Sequence, residues 1–410
     1  MNITLQKSQI ANRQSKVTIT GSKSESNRLL LLQALYPTIH LKNVSNSDDS
    51  CLMTNALKST SEVVDIHHAG TAMRFLTAYF SIQEGREVTL TGSKRMKERP
   101  IQILVEALKE LGAEIIYVEN EGYPPIKIIG KKLTKNKVSL QANVSSQYIS
   151  ALLLIASKLE NGIELTLEGE ITSVPYIKMT LSLLDEIGVE SSFVGNTITV
   201  KPNTQHPIPK TLTVESDWSS ASYYFSIAAL CEVGTEITLS SYKENSLQGD
   251  SVLVDIYKSF GVKTTFENNS ITLVKSEMVA TESIIEFDLA NAPDIAQTIA
   301  VTSFALGLAC NLTGLHTLKI KETDRLVALK TEIEKLGGQV QITDKSLHLS
   351  VSNGIKELVP ISTYNDHRMA MAFAPLALKT PIVIEDSEVV SKSYPTFWDD
   401  LESIGFKITK

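Results

Sequence analysis

Basic residues gather at a recurring kind of place in this chain. Lys23 and Arg28 fall in GSKSESNR, Arg74 in AGTAMR, and Arg95, Lys97 and Arg99 in GSKRMKERP. Lys321 and Arg325 fall in KIKETDR and Arg368 in NDHR, with Lys392 following in SKSYP. In most of these segments small polar residues open an apolar run, the pattern of a helix start. A helix N-terminus already presents free N–H groups and a partial positive charge, so added cations strengthen an anion site there and weaken the helix. Stability alone would place them at the other end. Planar guanidinium forks suit carboxylate and phosphate groups. A single Lys or Arg at such a position reads better as a solvated face.

Carboxylates stand among these cations. In KETDRLVALKTEIEKLGG, Lys321 and Arg325 are spaced to share a face, and Glu322 lies three residues before Arg325. Glu322 reads either as a base held among cations or as part of a surface ion-pair ladder. Asp294 follows Pro293 at the start of a nearly apolar segment, where an aspartate is ordinarily a helix cap. Asn365 or Asp366 could cap the next such segment, with His367 and Arg368 facing outward from its first turn. Arg99 precedes Pro100, which places its guanidinium at the mouth of the helix IQILVEALKELG. No HExxH, no metal-type Cys or His cluster and no GxGxxG occurs, and GSKS lacks the upstream glycine of a phosphate-loop NTPase.

The elements that must position these residues repeat. Five segments are amphipathic helices running into Gly112, Gly188, Gly261, Gly337 or Gly405 and then a strand, with glycine as the C-terminal punctuation. Upstream lie six apolar helices: SESNRLLLLQAL, AGTAMRFLTAYF, SSQYISALLLIA, SSASYYFSIAAL, APDIAQTIAVTSFAL and YNDHRMAMAFAPLAL. Short alternating strands such as EVTLTG, IELTLEGE and TEITLSS come after them. The glycine spacing suits a complete supersecondary unit, so six copies imply two domains of three. The copy after Ser26 is the least clear, because NALKSTSEVVDI has no glycine where one is expected. PNTQHPIPK, residues 202–210, is the candidate crossing between halves.

A chain of 410 residues also favours two domains, and 42% hydrophobic with 21% charged residues is an ordinary soluble composition. The N-terminal segment has no apolar core of a signal peptide, and no apolar run reaches membrane-spanning length, so a cytoplasmic location is expected. Cys51, Cys231 and Cys310 are far apart and read as reduced, buried thiols. A net charge of −7 argues against nucleic acid as partner and leaves small anions held by local cation clusters.

Taken in order, GSKSESNR, AGTAMR, LTGSKRMKERPI, VSSQY, SVPYI, SDWSSASYY, NSLQGD, APD, KIKETDR, YNDHRMAM and SYP resemble the EPSP synthase family of enolpyruvyl transferases over essentially the whole chain. The resemblance implies an α/β fold of two inside-out barrel domains, each of three βαβαββ-type units with helices inside a ring of sheets. Its boundaries would be 21–215 for one domain and 1–20 plus 216–410 for the other, with the active site in the interdomain cleft. It implies transfer of the enolpyruvyl group of phosphoenolpyruvate to shikimate 3-phosphate through a tetrahedral ketal phosphate, with no metal or organic cofactor; a monomer with no membrane partner is expected.

Carried over residue by residue, Lys23, His68, Gly70, Arg99, Gln147, Arg325, Arg368 and Lys392 would surround phosphoenolpyruvate. Lys23, Ser24, Arg28, Ser145, Ser146, Gln147, Ser173, Tyr176, Asp294 and Lys321 would hold shikimate 3-phosphate. Asp294 would take the proton of the attacking hydroxyl, and Glu322 and Lys23 are both candidates for protonating the methylene carbon. His68, Phe75, Thr317 and Lys319 depart from the residues usual in the family. UDP-N-acetylglucosamine enolpyruvyl transferases share the fold, but they typically carry a reactive Cys in the loop matching GSKRMKERP, which has none here. A silent anion-binding relative, or one that processes RNA ends, is the remaining alternative. Retention of Asp294, Glu322 and Lys23 counts against the first, and the acidic balance against the second.

Overall fold

The computed structural model describes residues 1–10, 14–141, 145–169, 171, 174–203, 210–278 and 284–410. The chain divides into two compact units, Gly21–Val214 and Met1–Thr20 with Glu215–Lys410. Most of the proline-containing stretch 202–210 lies outside the described residues. No described helix is long and apolar enough to cross a membrane.

Among the described residues six sheets are formed, three in each unit. Five follow one plan. Two strands pair in parallel through a crossover helix, and a second helix leads to an antiparallel hairpin laid against that pair. In one copy Val63–Asp65 pairs in parallel with Glu87–Thr91, against which Ile126–Ile129 and then Glu114–Tyr117 run antiparallel. Ile284–Asp288, Ala309–Thr313, Leu347–Leu349 and Val340–Ile342 repeat the plan in the other unit. The last copy takes one strand from the start of the chain, Ile3–Leu5, which sits between Ile382–Ile384 and Ile408–Thr409.

The unclear copy is short for a physical reason. Its sheet is the single parallel pair Lys210–Thr213 with Ile39–Lys42. After the helix Asp48–Lys58 the chain enters the strand Val63–Asp65 with no hairpin between, so no glycine is needed to turn it back. The five glycines that do end helices all adopt positive φ, from 72° to 113°.

Helices inside and sheets outside follow from polarity. The crossover helix Gly70–Ser81 is buried at every residue, and Ser146–Ala156 at every residue but Gln147. A helix apolar all round has to be enclosed. The strands alternate buried and exposed positions, as in Lys137–Gln141, and so cover these helices with one face only. Cys310 is buried as expected, Cys231 is half-buried, and Cys51 is exposed because it lies on the outer flank of the amphipathic helix Asp48–Lys58. Burial pushes the Cys231 thiol up to about 12 and the Cys310 thiol to about 11.

Candidate active site

In the unit of residues 21–214, the first turns of the three inner helices lie side by side. Lys23 and Ser24 open the helix Lys23–Leu35, and Arg28 stands one turn further in. The Arg28 guanidinium donates to Ser24 O (2.7 Å), Thr180 Oγ1 (2.8 Å), Ser150 Oγ (2.9 Å) and Tyr176 O (3.5 Å). It also lies over the rings of Phe75 and Tyr176, at 5.4 and 5.8 Å. These partners are all neutral, and burial lowers the Arg28 pKa to about 10. Phe75, one of the departures from the family pattern, therefore acts as a π-face for a buried cation.

Gly70 opens the helix Gly70–Ser81, and a Cβ placed on it would stand 2.5 Å from Arg99 Nη1. Arg99 thus lies against the start of that helix, whereas the sequence placed it at the mouth of the helix Gln102–Leu111. That helix begins two residues after Pro100, whose carbonyl instead accepts bonds from Arg74 Nη2 (3.1 Å) and Tyr148 Oη (2.7 Å). Arg74 also donates to Gly70 O (3.1 Å), so it ties the 94–100 loop to the helix. Burial, and then the neighbouring Arg99, lower its pKa to about 10.

Gln147 donates to Thr71 Oγ1 (3.2 Å), joining the first turn of Ser146–Ala156 to that of Gly70–Ser81, while Ser145 caps by accepting from Gln147 N (3.3 Å). His68 meets His67, with their Nδ1 atoms 2.6 Å apart, and its Nε2 lies 3.7 Å from Asp48 Oδ2. Ser173 lies outside the described residues.

In the other unit the centre is Arg325, whose side chain is 2% exposed. Its Nε donates to Asp366 Oδ2 (2.7 Å), Nη1 to Asp294 Oδ1 (2.7 Å) and Nη2 to Glu322 Oε2 (2.8 Å). Burial acts to lower its pKa, but Asp366, Glu322 and Asp294 outweigh it and hold the pKa above the usual guanidinium value. Asp294 also lies 3.4 Å from Lys321 Nζ and 3.5 Å from Arg368 Nη2. It sits inside the short turn Pro293–Ile295 and its carboxylate faces three cations.

Lys321 and Arg325 meet at Asp294 without sharing a helical face. The helix begins only at Arg325, because Asp324 accepts from the N–H groups of Leu326 (3.1 Å) and Val327 (3.2 Å). Asp366 caps the helix His367–Phe373 through Arg368 N (2.9 Å) while it also holds Arg325. His367 is buried rather than outward-facing. Arg368 donates from Nη1 to Asp294 O and from Nη2 to Ser219 Oγ, both at 3.2 Å. Lys392 Nζ donates to the Asn365 carbonyl and to its Oδ1 (3.0 Å).

The role of Asp366 was only half visible in sequence, as a cap. Ser219 and Asp250 were missed as parts of this cluster, although SDWSSASYY and NSLQGD were both prominent. Among the described residues, no group of three or more His, Cys, Asp and Glu is placed to hold a metal ion.

The arrangement is a set of helix starts carrying cations and a few carboxylates, suited to anionic ligands. Comparison with known proteins agrees. The family model for EPSP synthase (3-phosphoshikimate 1-carboxyvinyltransferase) matches residues 58–401. A Bacteroides fragilis protein named 3-phosphoshikimate 1-carboxyvinyltransferase is 47% identical, with 97% of each chain covered. A Haemophilus influenzae protein of the same name is 36% identical, over 95% of this chain and 96% of its own. The solved EPSP synthase of Acinetobacter baumannii superposes with a TM-score of 0.83 at 21% identity over the full length of both chains, and so shares the fold. The chain belongs to the EPSP synthase (3-phosphoshikimate 1-carboxyvinyltransferase) family.

Proposed function

We propose that the chain transfers the enolpyruvyl group of phosphoenolpyruvate to the 5-hydroxyl of shikimate 3-phosphate, giving 5-enolpyruvylshikimate 3-phosphate and phosphate. The observation that carries this reading is Asp294, a carboxylate held at 2.7 to 3.5 Å from Arg325, Lys321 and Arg368. Cations around a carboxylate favour its ionised form, the form able to accept a proton.

In this reading Lys23, His68, Gly70, Arg99, Gln147, Arg325, Arg368 and Lys392 surround phosphoenolpyruvate. Lys23, Ser24, Arg28, Ser145, Ser146, Gln147, Ser173, Tyr176, Asp294 and Lys321 hold shikimate 3-phosphate. Arg28 suits its role, because a buried guanidinium with neutral partners gains from an anion nearby. Asp294 takes the proton of the 5-hydroxyl as its oxygen attacks C2 of phosphoenolpyruvate, and Glu322 or Lys23 delivers a proton to C3. The resulting ketal loses phosphate, and a methyl proton leaves to restore the double bond. Positioning and electrostatic stabilisation supply most of the acceleration. The reading places the enzyme in the cytoplasm as a monomer.

Phosphate release with phosphoenolpyruvate and either shikimate 3-phosphate or UDP-N-acetylglucosamine tests the acceptor. Turnover is expected with the first alone. Turnover with the second, or tight binding of shikimate 3-phosphate without turnover, would overturn the reading.

A further inference from the structure

The segment Asn245–Asp250 carries the NSLQGD motif and has no part in the chemistry above. It is fastened to the start of the helix Trp218–Leu230 by several bonds. Ser246 Oγ donates to Glu215 Oε2 (2.7 Å), and the Gln248 side chain accepts from Trp218 N (3.0 Å) and donates to Ser216 O (2.9 Å). These bonds bring Asp250, 5% exposed, beneath the first turn of that helix, where it accepts a hydrogen bond from the Ser219 hydroxyl. Ser219 Oγ in turn accepts from Arg368 Nη2 at 3.2 Å.

We propose that Asp250, acting through the Ser219 hydroxyl, is a positioning residue for Arg368. A hydroxyl has one proton and two lone pairs. While Asp250 is ionised it accepts a hydrogen bond from that O–H, and the Ser219 lone pairs are left facing the guanidinium. Arg368 is then fixed from two sides, by Ser219 and by the Asp294 carbonyl. Without the carboxylate the hydroxyl is free to turn, and the fork of Arg368 loses its alignment. The groups facing Asp250 are Asp294, Arg368, Ser219 and Asp217; burial, then Asp294, raise its pKa to about 6, against Arg368 and Ser219. The relay therefore weakens as pH falls through that value.

The inference rests on the reading that Arg368 holds phosphoenolpyruvate, and the variants separate the two. Arg368→Lys, Asp250→Ala, Ser219→Ala, the Asp250→Ala/Ser219→Ala double variant and Asp250→Asn are compared in steady state, with thermal melts to verify folding. Asp250→Ala and Ser219→Ala should each raise KM for phosphoenolpyruvate about tenfold, as for loss of one hydrogen bond to a charged group, with KM for shikimate 3-phosphate nearly unchanged. The double variant should be no worse than Ser219→Ala, since the two residues act in series. Asp250→Asn, the neutral isostere of the protonated acid, should show at neutral pH the raised KM that the parent acquires as Asp250 is protonated. It should also abolish a rise in KM below about pH 6; the donor's phosphate titrates there too, so only the difference between the two proteins counts.

A raised KM in Arg368→Lys with no change in Asp250→Ala and Ser219→Ala overturns the inference alone. Multiplying effects in the double variant do the same. No change in Arg368→Lys overturns the placement of the donor and the inference with it.

Discussion

At the scale of single residues, the types were legible and the partners were not. Asp294 read as a cap because an aspartate after proline at a helix start normally is one, and no local pattern reveals that Arg325, Lys321 and Arg368 converge on it from distant segments. Its replacement by Asn should lower kcat by about two to four orders of magnitude, as for loss of a general base, with the fold retained by thermal melt. Turnover near that of the parent protein would remove Asp294 from the role. Gly70 was legible only through resemblance, and the structure supplies a reason: a Cβ there would stand 2.5 Å from Arg99 Nη1, so the guanidinium would have to move. Gly70→Ala should push the guanidinium aside and raise KM for phosphoenolpyruvate by about tenfold or more, leaving KM for shikimate 3-phosphate little changed. Asp250 makes a further prediction, about stability. Its folded pKa, about 6, lies above the ordinary value of 3.8, so the folded state binds its proton more tightly than the unfolded chain does. Stability linked to this group is greatest below pH 4 and is lost as pH rises from 4 to 6. Asp250→Asn, which never ionises, should therefore be more stable at pH 7, by up to about 3 kcal/mol, and equal to the parent at pH 4. Melting both proteins at the two pH values gives the answer, and a lower melting temperature for the variant at pH 7 would contradict it.

At the scale of elements, most of the architecture could be read from the chain. The apolar crossover helices, the alternating strands and the glycines that end the second helices are all local signals, and EVTLTG, IELTLEGE and TEITLSS became the strands Glu87–Thr91, Ile163–Glu168 and Glu236–Ser240. Helix starts were harder. Pro100 suggested a start that the structure delays to Gln102, and the helix after KETD begins at Arg325, because Asp324 supplies the cap. Gly188, at φ 81° with no atom near the place of a Cβ, isolates the conformational part of the helix-ending signal. Gly188→Ala should cost about 1–2 kcal/mol, the strain of a left-handed residue with a side chain, while Gly188→Asn should cost less. Denaturant titration measures both, and equal stability of the Ala variant and the parent would show that the turn relaxes to another conformation.

At the scale of the whole molecule, repetition explains why cations collect where they do. Crossover helices in successive copies start at equivalent ends of their sheets, so residues at their first turns meet within each unit, as Gln147 meets Thr71 and Arg368 meets Ser219. Sequence could count these copies but could not show that one lacks its hairpin, or that Ile3–Leu5 completes the sheet of the last, since both depend on pairings remote along the chain. Taken together, these first turns carry out enolpyruvyl transfer by addition to C2 followed by loss of phosphate. The most direct measurement uses phosphoenolpyruvate labelled with 18O in the oxygen bridging carbon and phosphorus, incubated with shikimate 3-phosphate and the protein. 5-Enolpyruvylshikimate 3-phosphate and phosphate are expected in equal amounts, with the label in the phosphate because the C–O bond is the one that breaks. Label found in pyruvate, or phosphate released without the enolpyruvyl product, would contradict it.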